Sequence, residues 1–265
     1  MPAFKKKAIG LFALTALTLT CLSGIAPAGA ETTFEQNLDY IVTSVGAEAN
    51  DQDIRAEMLE GLQEYAQEQG LTLEQAAQRV ADESRSYSTN TFPQETASSS
   101  QAGQADLNSG GGSRKVAMGK ARYVGDVFYS SNSTAGIQHG HNGIYIDLYN
   151  YAEAPGLGKK VAKVHAWEVA SPAPAYKYYV GWNRKSPNKQ KAADFARSKI
   201  GKAGYNYKFY DNKRVQAGSY NCSQLVWAAY KSTDPNVDLD SNGGPGVYPA
   251  DIANSRWTTW YETRS

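Results

Sequence analysis

Cysteine and histidine are scarce in the 265 residues: there are two cysteines, Cys21 and Cys222, and three histidines, His139, His141 and His165. After residue 30 there is no long apolar run, and neither sign of charge dominates. Each shortage excludes something. Two cysteines supply no disulfide framework. A net charge of +1 provides no broad basic face for nucleic acid or for anionic membrane. Without a second apolar run, no stable membrane span is expected in the body of the chain. A zinc site built from His139, His141, His165 and Cys222 would lack a close-paired cysteine or His-x₃-His module. No metal or organic cofactor is expected.

The first thirty residues read as an export signal. Lys5, Lys6 and Lys7 form a basic start, Ala8 to Ile25 is apolar, and Ala28-Gly29-Ala30 is a small-residue cleavage pattern, which places the cut before Glu31. Attachment to lipid through Cys21 would need an aliphatic and a small residue where Thr18 and Thr20 stand. The expected product is secreted, on or beyond the cell surface. Three of the 27 basic residues and none of the 26 acidic ones lie in this segment, so the remainder carries about two net negative charges. It also carries a single thiol, Cys222. A lone cysteine is either buried and inert or chemically employed.

Residues 31–85 have helical periodicity. Phe34, Leu38, Ile41, Val42 and Val45 recur at one spacing, as do Ile54, Met58, Leu62 and Tyr65. Gly70 marks a stop, and Thr72 with Gln75 resembles a capping box opening a third helix. The stripes are narrow, so the helices are expected to pack on something else. Residues 86–114 change to Ser, Thr, Gln, Ala and Gly, ending in Gly110-Gly111-Gly112, the composition of a linker. Residues 115–265 hold most of the aromatics. Val127-Phe128-Tyr129, the alternating run His141 to Asp147, and Val161 to Val169 read as strands; Lys189 to Ile200 and Cys222 to Tyr230 read as helices. The fold class expected is α+β, a small antiparallel sheet packed on helices.

Cys222 stands in Tyr220-Asn221-Cys222-Ser223-Gln224-Leu225-Val226. Asn221 as N-cap would leave the cysteine in the first helical turn. There the unpaired N–H groups and the positive end of the helix dipole stabilise a thiolate and could hold an oxyanion. A nucleophilic thiol needs a base, and histidine titrates in the right range. His141 opens one strand and His165 lies in the next strand-like run. Paired as a hairpin, the two would share a face, with His165 orienting His141 in a Cys–His–His relay. His139, beside Gly140, reads as a loop residue. Asp238-Leu239-Asp240-Ser241-Asn242-Gly243 resembles the start of a calcium loop, but Pro249 occupies the twelfth position, so a solvated turn is the better reading. Trp167, Trp182, Trp227, Trp257 and Trp260 suit either a glycan groove or core and rim.

Three elements together resemble the NlpC-type, papain-like cell-wall cysteine peptidases: Cys222-Ser223-Gln224-Leu225-Val226, His141-Asn142-Gly143-Ile144-Tyr145 and Val164-His165-Ala166. Gly125-Asp126-Val127-Phe128 is similar to that family's strand preceding the histidine. Gly204-Tyr205-Asn206-Tyr207-Lys208-Phe209 resembles its segment before the nucleophile, which implies an oxyanion role for Tyr205, with Tyr207 nearby. Both histidines precede the cysteine, an order that resembles the circularly permuted YiiX/YebB-like branch. That branch often carries a glutamate in third position, which makes Glu168 the alternative to His165. An offset of three from His165 points it to the opposite face. The resemblance covers roughly 116–257 and implies amide hydrolysis, commonly of peptidoglycan peptides.

The expected function is therefore a secreted cysteine amidase or endopeptidase, with Cys222 as nucleophile, His141 as base and then acid, His165 as orienter and Tyr205 at the oxyanion. Two rivals keep the same fold: a lipid-directed thiol hydrolase or acyltransferase, and a non-catalytic cell-wall binding module. The helices of 31–85 read as a possible intramolecular pro-segment or as a partner-binding arm.

Overall fold

The computed structural model describes residues 32–88, 114–131, 133–134, 137–138, 140–182 and 185–265. The expected export signal, residues 89–113 of the expected linker, and His139 lie outside the described residues.

Three helices come first: α1 (Phe34–Ser44), α2 (Gln52–Gln69) and α3 (Leu73–Ser88). Local chemistry sets their ends. Thr33 N–H donates to Gln36 Oε1 at 2.9 Å, and Gln36 N–H donates back to Thr33 Oγ1 at 3.3 Å. Thr72 and Gln75 repeat this reciprocal cap before α3, at 2.9 and 3.2 Å. Gly70, at φ 65°, closes α2 in the left-handed conformation that suits glycine. The apolar stripes meet in one buried cluster of Leu38, Ile41, Val42, Met58, Leu62, Val80 and their neighbours. It also takes in Tyr210, from far along the chain, whose hydroxyl donates to the Met58 carbonyl at 3.1 Å.

The strands follow: β1 (Lys115–Ala117), β2 (Val127–Ser130), β3 (Ser133–Thr134), β4 (Ile137–Gln138), β5 (His141–Tyr145), β6 (Asn150–Glu153), β7 (Ala162–His165), β8 (Val169–Pro172) and β9 (Ala175–Val180). Then come α4 (Lys189–Lys199), a short 3₁₀ turn at Phe209–Asp211, α5 (Cys222–Lys231), α6 (Pro249–Asn254) and β10 (Thr258–Arg264). Six strands form one antiparallel sheet in the order β10-β9-β2-β5-β6-β7, while β1 pairs with β8 and β3 with β4.

Alternation along the strands divides the sheet into two faces. Val127, Ile144, Ala152 and Val180 pack against Leu225, Val226 and Ala229 of α5 and Ala192 and Ala196 of α4. Phe128, Tyr145 and Tyr151 cover the other face with Met118 and Ala166. The result is a mixed α+β fold, helices against an antiparallel sheet.

Two strand expectations change. The run from Val161 to Val169 is broken: β7 ends at His165, and Glu168 N–H turns back to the His165 carbonyl at 2.9 Å. After the turn, β8 leaves the main sheet to pair with β1. The strand of His165 does not pair with the strand of His141 either. β6 lies between them, because the chain after Tyr145 reverses at Asp147, whose carboxylate accepts from the N–H groups of Tyr149 and Asn150 at 2.8 Å each. A tight reversal of this kind pairs β5 with the next segment of chain rather than a later one.

The described residues belong to one compact unit in which α1–α3 sit against the rest. Tyr87 of α3 stacks on Tyr248 at 4.5 Å between ring centroids, and Phe209 stacks on the same ring at 5.4 Å. The Tyr87 hydroxyl lies 2.9 Å from both oxygens of Asp251 and donates to that carboxylate. Among the described residues no helix is long and apolar enough to cross a membrane.

Removing the Tyr87 hydroxyl leaves buried Asp251 short of a donor. Tyr87→Phe is therefore expected to lower stability by about 1–3 kcal/mol, read as a lower urea midpoint with an unchanged denaturant slope.

Candidate active site

The thiol is placed by a helix start that the sequence builds locally. Asn221 Oδ1 accepts the Gln224 N–H at 2.8 Å, which caps α5 and leaves Cys222 as its first residue. Side chains around the cap hold it in register. Ser223 Oγ donates to the Val247 carbonyl at 2.6 Å, and Asn212 grips the same residue from both sides, Nδ2 to its carbonyl and Oδ1 from its N–H, each at 2.7 Å. Asn206 Nδ2 donates to Gln224 Oε1 at 2.9 Å, tying the Tyr205 segment to the first turn of the helix. The first-turn N–H groups of Cys222 and Ser223 have no acceptor within the helix and face the positive end of its dipole. Cys222 is free of any disulfide and buried.

His141 reaches this sulfur from the start of β5. Gly140 before it has φ 72°, and a Cβ there would sit 2.3 Å from the Tyr129 ring, so the turn into the strand requires glycine. Gly143 answers a second demand: a Cβ would lie 2.4 Å from the Phe128 ring, which packs across it. Asn142 is buried and donates to the Phe128 carbonyl at 2.9 Å. The spacing His-x-Gly thus has a packing reason as well as a chemical one.

The partner of the imidazole is Glu153. His141 Nε2 lies 2.8 Å from Glu153 Oε2, and the two side chains are only 14% and 16% exposed. Ile144 pairs with Ala152, so the next position along β6, Glu153, falls beside Gly143 on the face His141 shares. With Nε2 engaged, Nδ1 is the nitrogen left for Cys222. Burial opposes charge on the ring, but the hydrogen bonds its N–H groups donate to Cys222 and Glu153, together with the charge of Glu153, outweigh it and push the imidazole up to about 10. At neutral pH His141 is an imidazolium. A cation beside the sulfur and a helix N-terminus beneath it both stabilise negative charge as it forms there.

Cys222 and His141 open on a cleft of about 250 Å³, lined also by Ser44–Gly46 at the end of α1, by Gly140, by Ala154–Leu157 and by Tyr205 and Phe209. Burial, and secondarily the charge of Cys222, raise the Tyr205 phenol well above its usual value, so it stays a neutral O–H donor. Tyr207 packs instead against the cluster of α1–α3.

His165 and Glu168 lie elsewhere. β7 pairs with β6 so that His165 stands opposite Asn150, and Asn150 accepts from Ile146, five residues beyond His141. At about 3.3 Å per residue this is some 16 Å along the sheet. His165 is exposed, its Nδ1 accepting from the Trp167 N–H at 3.4 Å, and Glu168 is exposed in the same turn. Strand pairing places neither against His141. Trp227 and Trp257 are core, while Trp167, Trp182 and Trp260 are exposed and away from the cleft walls. Asp238 pairs with Lys231 at 2.6 Å and Asp240 with Lys213 at 2.5 Å, which makes the 238–243 loop a tethered turn. Among the described residues no three His, Cys, Asp or Glu side chains are grouped to hold a metal ion.

Reading by sequence missed Glu153, Asn206, Asn212 and the Ser44–Gly46 wall. Glu153 had a signal: it alternates with Tyr151 in the segment directly after the His141 strand, where a short turn makes a hairpin. The others carry no local signature.

Comparison with known proteins adds a distant setting. No family model matches the chain. It is 32% identical over 161 residues to the uncharacterized protein YycO of Bacillus subtilis (strain 168). The match covers 60% of this chain and 62% of YycO, so the chain spans under two thirds of that relative's length. Among solved structures it is similar to the metalloprotein YiiX from Escherichia coli O157:H7, at 16% identity and a TM-score of 0.32, covering 54% of this chain and 97% of that one.

The raised imidazole sets a pH window. Its folded value lies above the ordinary 6.5, so the stability it contributes is fully present below about 6.5 and is lost as pH rises through about 10. Glu153→Gln removes the charge that helps hold the proton. The stability gap between wild type and this variant is expected to shrink across that interval, as measured by urea unfolding at stepped pH.

Proposed function

We propose that the protein is an exported cysteine hydrolase that cleaves amide bonds in peptidoglycan peptides. Its fold would be a permuted NlpC-type, papain-like one, and Cys222, His141 and Glu153 would form the reacting set. The observation that carries the reading is the single line of contacts from Glu153 through His141 to a cysteine at a helix N-terminus. Nucleophile, base and orienting carboxylate are the parts a thiol acyl-transfer site needs, in the order it needs them.

The chemistry follows from the geometry. The Cys222 thiolate, its proton already on His141, attacks the amide carbonyl and forms a C–S bond as the C=O π pair moves onto the oxygen. The oxyanion is held by the Cys222 N–H and by Tyr205, which remains protonated. The C–N bond breaks as imidazolium His141 gives its proton to the leaving amine. Neutral His141 then takes a proton from water, hydroxide adds to the thioester, and the C–S bond breaks to release the carboxylic acid. Glu153 keeps the ring oriented and supports its positive charge in both halves. In this reading the carboxylate of Glu153 takes the place expected for His165 or Glu168.

Peptide is favoured over a lipid acyl chain because the cleft is small, about 250 Å³, and Ser44, Gly46, Gly140 and Gly156 interrupt the apolar lining of Val45, Ala154, Pro155, Leu157 and Phe209.

The test is mass spectrometry of purified peptidoglycan after incubation with the protein. Wild type is expected to release new muropeptide fragments and Cys222→Ala none. His141→Ala should lose about 10²–10⁴-fold and Glu153→Ala at least about tenfold, with His165→Ala and Glu168→Ala staying within about twofold. Full activity in Cys222→Ala would overturn the assignment.

A further inference from the structure

Part of the cleft's lining, Ser44–Gly46, comes from outside the catalytic half of the chain. We propose that the α1–α2 turn, with Val45 at its start, is a substrate-selecting wall that admits only a small group beside the scissile bond. This deepens the hydrolase reading above and rests on it.

Four observations converge on Val45. First, Ser44, Val45 and Gly46 line the same cleft as Cys222 and His141, so what the turn presents is met by anything that reaches the sulfur. Second, the turn is held. Val45 caps α1 through its N–H to the Val42 carbonyl, Gly46 N–H donates to Thr43 at 3.0 Å with φ 87°, and Ser44 Oγ donates to Ile41 at 2.7 Å. Third, Val45 is braced from behind. It packs on the cluster of Tyr87, Phe209, Tyr248 and Ala250, whose stacked rings join the helices to the catalytic half. A β-branched side chain on such a support has little freedom to swing aside. Fourth, the space left is small. Pockets that bury a whole drug-sized ligand run to about 300–1,000 Å³, so about 250 Å³ takes one end of a chain and not its middle.

The helices thus have a role other than blocking. Among the described residues none inserts between Cys222 and His141, and the turn leaves the cleft open. A cover that inhibits would fill this space; a wall that selects would border it, as Ser44–Gly46 do.

The experiment compares two alkylating agents with the same reactive carbon and different bulk, iodoacetamide and N-benzyl-2-iodoacetamide. The rate of labelling is followed by peptide mapping of Cys222 in the full chain. Wild type is expected to react at least tenfold faster with iodoacetamide. Val45→Ala should narrow that ratio at least threefold and Val45→Phe should widen it. Val45→Leu stands in if Val45→Phe lowers the melting temperature. Ratios equal to wild type in the variants, with Cys222 labelled throughout, overturn the selecting wall and leave the hydrolase reading standing. Failure of wild-type Cys222 to react with iodoacetamide overturns the nucleophile, and the wall falls with it.

Discussion

An imidazole pressed between a carboxylate and a sulfur, largely out of water, is a demanding arrangement. His141 gives up hydration on entering its site, which by itself would favour the neutral ring. Glu153 at 2.8 Å and the Cys222 contact reverse that balance and hold a cation in place. Much of the surrounding structure serves this one contact. Gly140 turns the chain so that β5 can begin at His141, Gly143 makes room for the Phe128 ring, and the β5–β6 register delivers Glu153 to the same face. From the other side, Asn221 caps α5 and Asn212 and Ser223 pin the cap to Val247, so the sulfur arrives at a fixed height.

The helices α1–α3 are joined to this centre by an interface that is aromatic and acidic at once. Tyr87, Tyr248 and Phe209 stack through it, and Tyr87 donates to Asp251. Glu83 is enclosed beside Gly244 and Gly246. Burial first, and then the charge of Asp251, push its carboxyl up to about 8, so near neutrality it carries a proton for much of the time. Two ionised carboxylates there would repel, and the docked arrangement avoids this by keeping Glu83 largely neutral. The same interface supports Val45 at the edge of the cleft, so the packing that anchors the helices also shapes the approach to the sulfur.

Much of this was legible before any coordinates. The helices 34–44, 52–69 and 73–88, their caps at Thr72 and Gln75, the stop at Gly70 and the helix beginning at Cys222 all follow from spacing within a few residues. The structure also brings Cys222 and His141, singled out from their local motifs, to one cleft with Tyr205 beside them. Where the reading departed from the structure, strand partnership was the cause. His165 and Glu168 looked available because a strand-like run can pair with any other of suitable length, and sequence distance does not say which. The tight turn at Asp147 decided it by placing β6 beside β5 and moving His165 some 16 Å along the sheet.

What the sequence alone determined about this protein is what local chemistry determines: which segments are helical, where they stop, where a lone thiol meets a helix N-terminus, and which histidine opens a strand. Those features depend on residues within one or two turns of each other, so they are written contiguously. Only the tertiary structure decided that Glu153 completes the contact, that Tyr210 belongs to the core of α1–α3, and that Ser44–Gly46 border the cleft of Cys222. These contacts join positions up to about 180 residues apart, and at that range the partner is chosen by register and shape complementarity among whole elements.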